Sequence, residues 1–121
     1  VRFIGYQPEK IMHVLYHEAA AFLFPSSYEG FGMPVSEAMA TGTRPVVASG
    51  GAPEEVSGGF GLALPPFDHM AWRDAMIQAM DEHWQRDPAL RSKLQRASAG
   101  FDWAINARST LSIYEELILL G

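Results

Sequence analysis

The sequence predicts an α/β fold built on a parallel sheet, and three observations carry that prediction. Two short runs, residues 21–24 (Ala-Phe-Leu-Phe) and 45–49 (Pro-Val-Val-Ala-Ser), are apolar with little or no alternation, as in strands covered on both faces. Segments of helical periodicity lie between and after them. Eight of the eleven glycines fall between Gly30 and Gly61, whereas residues 67–120 hold only Pro88 and Gly100 as breakers. The pattern describes strands alternating with helices in a loop-rich first half, followed by a helical C-terminal half.

Each element follows from local chemistry. Val1, Arg2, Phe3 and Ile4 read as a short strand stopped by Gly5. A helix is expected over residues 8–20, with Ile11, Leu15 and Ala19 at i, i+4, i+8 on its inner face. Pro25 ends the first buried strand, and residues 26–33 form a loop. Pro34 suits the first turn of a helix, where its missing N–H costs nothing, and that helix runs to Gly42. After the second buried strand comes a glycine-rich loop, then a last short strand at Leu62, Ala63 and Leu64. Over residues 70–84, Trp72, Met76, Met80 and Trp84 recur every four positions and, with Ile77, predict an apolar helix stripe. Asp87 and Pro88 supply the cap and first turn of the next helix, whose inner face is Leu90, Leu94 and Ala97. The closing helix, residues 103–120, carries Ile105, Leu111, Tyr114, Leu117 and Ile118 on its apolar side.

Composition narrows the function. At 121 residues, 48% hydrophobic and only 19% charged, the chain can fold around a core but is short for a two-domain enzyme. It contains no cysteine, which removes disulfides and thiol chemistry. The net charge of −5 argues against generic duplex nucleic-acid binding. No apolar run approaches the roughly 20 residues of a membrane span. The strand-like start at Val1, with neither initiator Met nor leader, suggests a piece of something longer.

The chemistry concentrates in residues 25–40, Pro-Ser-Ser-Tyr-Glu-Gly-Phe-Gly-Met-Pro-Val-Ser-Glu-Ala-Met-Ala. This stretch leaves the carboxyl end of a strand and enters a helix through a glycine-rich turn, the place where open α/β sheets bind ligands. Backbone N–H groups of Gly32 and Met33 would meet an anion or sugar hydroxyls there, with the helix dipole behind them. Glu29 in the loop and Glu37 one turn into the helix frame the mouth, and a carboxylate suits vicinal hydroxyls. On spacing alone, a bland reading stays open: Glu37 complements the helix terminus and Glu29 is solvated. Gly30-x-Gly32 lacks the third glycine of a dinucleotide fingerprint.

The run Pro-Ser-x-x-Glu-Gly-Phe-Gly-Met-Pro-x-x-Glu-Ala-Met-Ala-x-Gly, with seven residues between Glu29 and Glu37, resembles the signature of retaining, nucleotide-sugar-dependent glycosyltransferases of family 4 (group 1). The likeness extends over nearly the whole chain: Val1-x-Phe3-x-Gly5-Tyr6 with Pro8 before the motif, residues 45–51 with Pro53-Glu54 after it, and Phe101-x-Trp103-x3-Ala107 with Tyr114 at the end. The resemblance implies part of the C-terminal, donor-binding domain of the two-domain GT-B architecture, Rossmann-like and truncated at its N-terminal side, with residues 1–66 giving sheet and donor-site loops and residues 67–121 the helical segment. It implies that Glu37 holds the donor ribose and that Glu29 lies beside the transferred sugar and its phosphate as the catalytic residue. By the same likeness Gly30, Phe31, Gly32 and Met33 contact sugar hydroxyls and pyrophosphate, Ser26 lies near the nucleotide, and Gly5 and Tyr6 near the base. No metal or other cofactor is expected, and no Asp-x-Asp occurs. The expected partners are the nucleotide-sugar donor, an acceptor such as a lipid-linked or cell-envelope glycan, and an N-terminal domain that also contributes the basic groups for the diphosphate. The expected setting is the cytoplasm, at or near the inner face of a membrane.

Some residues fall outside this pattern. Arg44 stands where the family passes from Thr directly to Pro, on what reads as the phosphate side of the cleft. It is either a new anion contact or, as lone loop arginines usually are, solvent-facing. His13 and His17 stand at i, i+4, but Ala21 occupies the position where His-Glu-x-x-His needs its second histidine, so a metal clamp is disfavoured. His69 and His83 show no partner. A non-catalytic nucleotide- or phosphosugar-binding module remains the alternative to an enzyme. A glycosidase using Glu29 and Glu37 fits poorly, because nothing fixes their separation.

Overall fold

A computed structural model describes residues 1–81 and 87–120. The elements are α1 (Glu9–Glu18), β1 (Phe22–Phe24), α2 (Met33–Ala40), β2 (Pro45–Ala48), α3 (Ala52–Ser57), β3 (Leu62–Leu64), α4 (His69–Ala79), α5 (Pro88–Ser98) and α6 (Trp103–Leu120). The three strands form one parallel sheet in the order β1-β2-β3, with Phe22 opposite Pro45 and Val46 opposite Leu62. All four β2 residues are buried, as a strand covered on both faces requires.

The pleat sends successive side chains to opposite layers. Phe22, Phe24, Val47 and Ala63 face a core with Val35 and Met39 of α2, Val56 of α3 and Leu94 of α5. Leu23, Val46, Ala48, Leu62 and Leu64 face the other core, with Trp72 and Ala75 of α4. The architecture is therefore Rossmann-like, with helices on both faces of the sheet. Asp87 caps α5 as its sequence indicates, its Oδ1 accepting from the N–H groups of Ala89 (2.9 Å) and Leu90 (3.2 Å). Leu94 is buried, with Leu90 and Ala97 packed beside it.

Several sequence expectations give way to packing. Residues 1–4 are not a strand, and Phe3 is 95% exposed. An extended segment becomes a strand only through a ladder, and no described strand lies beside this one. On α1 the inward residue is Tyr16, with Met12 half-buried, while Ile11 and Leu15 are exposed. The helix carries two overlapping apolar stripes, and the Tyr16 ring, edge-on to Phe22 with centroids 5.3 Å apart, selects the second. On α4 the buried stripe is Trp72, Ala75 and Ala79, and Met80 is 75% exposed. Trp72 donates its indole N–H to the Pro65 carbonyl (2.9 Å), and the alanines beside it allow close approach to the sheet. Trp84 and His83 lie outside the described residues.

The glycine-rich segment after β2 contains a helix that the sequence reading passes over. Gly51 caps α3, Pro53 and the acidic Glu54 and Glu55 occupy its first turn, and Gly58 ends it in the left-handed region. The closing helix α6 forms over the expected residues, but none of them is buried.

Candidate functional site

Two loops meet at the carboxyl end of the sheet. The first leaves β1 and enters α2 at Gly32, whose φ of +94° suits glycine. A Cβ there would lie 3.5 Å from Pro53 of the second loop. One at Gly51 would lie 3.8 Å from the Ser27 carbonyl, so the loops after β1 and β2 abut. In the first turn of α2, Pro34 has no N–H and the Val35 N–H is taken by the Gly32 carbonyl (2.9 Å). The donor array is thus narrower than the glycines suggest.

Side chains shape the rest of this turn. Glu29 is exposed and accepts a hydrogen bond from Ser26 Oγ at 2.7 Å, which orients its carboxylate along the loop. Phe31 stacks edge-on against Phe101, centroids 5.3 Å apart, and ties the turn to the segment leading into α6. Gly30 and Met33 are exposed, and Gly32 is buried. In the second loop the Gly50 N–H donates to Glu54 Oε2 (2.7 Å).

Glu37 belongs to a separate cleft of about 430 Å³ between α1 and α2, lined by Tyr6, Gln7, Glu9, Met12, His13, Tyr16, Glu37, Ala40 and Thr41. Val35, Ser36, Ala38 and Met39 bury the inner side of α2 and leave Glu37 to project outward. Its Oε2 accepts from the Tyr16 hydroxyl at 3.3 Å. Burial, and then the Glu37 charge and hydrogen bond, hold the Tyr16 phenol above the usual tyrosine range. Gly5, at φ +64°, turns the chain so that Tyr6 reaches this cleft. The structure thus brings Glu37 and Tyr6 together, while Ser26, Glu29 and residues 30–33 are not part of the same lining. The lining combines two carboxylates with largely apolar walls and has no Lys or Arg, which suits hydroxyl groups and a base rather than a diphosphate.

Tyr16, Met12, Gln7 and Glu9 of this lining do not stand out in the sequence, and His13 stands out there only as half of a histidine pair. The available signal was the Met12–Tyr16 pair, four residues apart and one position over from the stripe chosen. The two histidines serve different surroundings: His13 lines this cleft, and His17, one turn on in the last turn of α1, meets Arg91 of α5, its Nδ1 2.5 Å from an Arg91 guanidinium nitrogen. Among the described residues, no three acidic or histidine side chains converge on a point.

Arg44 requires a correction. It precedes β2, and its carbonyl accepts from the Phe22 N–H (3.0 Å) at the amino ends of the strands, opposite the glycine-rich turn. It is half-buried, lining a cleft of about 210 Å³ with Arg91, His17 and Asp87. Burial draws the guanidinium below its ordinary range, and Asp87 opposes that shift. Parallel topology puts the loop before a strand at the far end from the loop after it, so Arg44 lies away from the glycine-rich turn and is half-buried, not fully solvent-facing.

Residues 1–99 match the family model of glycosyl transferases group 1. The chain belongs to that family. Among similar proteins, the O-antigen chain mannosyltransferase B of Escherichia coli is 33% identical over 97% of this chain and 30% of its own length. A glycogen synthase of Mycobacterium tuberculosis (strain CDC 1551 / Oshkosh) is 34% identical over 93% of this chain and 28% of its own. The sucrose-phosphate synthase of Thermosynechococcus elongatus superposes over all of this chain and 31% of its own, with a TM-score of 0.81 and 28% identity. This group 1 glycosyltransferase chain therefore spans about 30% of the length of the relatives it matches. Its described helices include none long and apolar enough to cross a membrane.

Proposed function

We propose that this chain forms part of the nucleotide-sugar donor site of a longer, retaining glycosyltransferase. The observation that carries the reading is the outward-facing Glu37 carboxylate in a cleft shared with Tyr6, on a helix that starts at the glycine-rich turn beside Glu29. Glu37 accepts hydrogen bonds from the ribose hydroxyls, and Tyr6, presented by Gly5, lies along the base. Glu29, oriented by Ser26, sits against the transferred sugar and its phosphate. The backbone of residues 30–33 meets sugar hydroxyls and the pyrophosphate. In the reaction, the bond from the anomeric carbon to the diphosphate breaks and a bond to an acceptor hydroxyl forms on the same face. The nucleoside diphosphate leaves, and the acceptor gives up its proton.

The cleft lining holds no cation to neutralise a diphosphate. The basic groups for it come from the rest of the longer protein, together with the acceptor-binding domain, without a metal ion or other cofactor. On this reading the 121-residue chain alone does not turn over. The relatives include a mannosyltransferase, a glycogen synthase and a sucrose-phosphate synthase, which supports a shared donor portion with acceptor choice made elsewhere. A peripheral position at the inner face of a membrane, with a lipid-linked or cell-envelope acceptor, fits the O-antigen relative.

The test is release of nucleoside diphosphate by the full-length protein from uridine-, guanosine- and adenosine-linked sugars. With the donor found, Glu37→Ala weakens nucleotide binding at least about tenfold, as expected for loss of hydrogen bonds to a charged group. Glu29→Ala lowers kcat more than it raises KM. Unchanged titration and turnover in both variants would sink the assignment.

A further inference from the structure

The Tyr16 hydroxyl points at the carboxylate on which the proposed nucleotide site turns, and the rest of Tyr16 is fixed from several directions. The residue is 9% exposed. Its ring is edge-on to Phe22, and its backbone carbonyl accepts a hydrogen bond from the Thr43 hydroxyl, itself buried and linked to Thr41 Oγ1 at 3.2 Å. Glu37, by contrast, is exposed on α2 and has the rotamer freedom of any surface carboxylate. A fixed donor therefore meets a carboxylate that would otherwise have to be ordered when ligand arrives.

We propose that Tyr16 is a positioning residue for nucleotide recognition: its hydroxyl holds Glu37 Oε2 and leaves Oε1 directed at the ribose. The inference rests on Glu37 being the ribose ligand, as proposed above. A carboxylate has about four lone-pair sites, so accepting one bond from Tyr16 leaves ample capacity for two vicinal hydroxyls. Pre-ordering removes part of the entropic cost of binding. The bond, at 3.3 Å, is longer than the usual O–H···O distance of about 2.7–2.8 Å, so its contribution is modest.

The test uses the full-length protein and whichever of UDP, GDP or ADP it binds most tightly, with the matching 2′,3′-dideoxynucleoside diphosphate as control. Tyr16→Phe keeps the ring on Phe22 and removes only the hydroxyl. It should weaken the ribonucleotide roughly three- to tenfold, the range of one hydrogen bond. It should leave the dideoxy affinity unchanged, and in a Glu37→Ala background it should add no further loss. Equal weakening of both nucleotides would make Tyr16 a packing residue only and overturn the proposal. So would an unchanged ribonucleotide affinity in a protein where Glu37→Ala still weakens binding. If Glu37→Ala itself changes nothing, the donor-site reading has failed, and the positioning role fails with it.

Discussion

At the scale of single residues, the most constrained position is Gly42, between the end of α2 and β2. Its φ of +82° lies where a side chain is strained, and a Cβ there would sit 2.3 Å from Arg91 Cγ. Arg91 occupies that space because its guanidinium donates to the Thr41 carbonyl at 3.0 Å, a cation at the carbonyl end of α2. Gly42→Ala should destabilise the fold by at least about 1–3 kcal/mol from the backbone alone. Adding Arg91→Ala should remove the clash and leave the backbone part, as read by urea denaturation of both variants. Equal stabilities for the wild type and Gly42→Ala would refute the argument. The candidate site was only partly legible at this scale. Glu29 and Glu37 stand out through their motif, and chemistry that acts through residue type and spacing is written in the sequence. Tyr16 does not stand out, because its meeting with Glu37, 21 positions away, is created by the packing of α1 on α2.

At the scale of elements, α5 packs chiefly against α2, with one residue at the centre of the contact. Leu94 is fully buried against α2 and β2, whereas Leu90 and Ala97 beside it are half-buried. Leu94→Ala should cost about 2–5 kcal/mol, and Leu90→Ala clearly less, by chemical denaturation of each variant. Caps and turns made several elements readable: Asp87-Pro88 opens α5, and Pro34 falls in the first turn of α2. The same grammar was present for α3, in Gly51, Pro53, Glu54 and Gly58, but a six-residue helix is too short to show an apolar period. The α4 stripe misled for a different reason. Large apolar residues mark a helix face by hydrophobicity, yet the face nearest the sheet is chosen by close approach, which favours Ala75 and Ala79 over Met76 and Met80.

At the scale of the whole molecule, α6 is the unusual feature. Leu111, Ile113, Tyr114, Leu117 and Ile118 are each more than half exposed, along with Trp103 at 80%. Monomeric proteins rarely leave so much contiguous apolar surface in water. The 121-residue chain in isolation should therefore self-associate with rising concentration, and Leu117→Lys with Ile118→Lys should suppress it in light scattering. A clean wild-type monomer at high concentration would count against this. The sequence by itself determined the fold class, all three strands of the sheet at close to their full extent, and the family motif with its two glutamates. These depend on short-range periodicity, capping and residue type, which the chain carries locally. Tertiary structure alone decided which stripe of α1 and α4 faces inward, that Arg44 lies at the amino end of the sheet, and that Tyr16 meets Glu37. Those outcomes depend on which surfaces approach one another across many residues, and no local pattern records that.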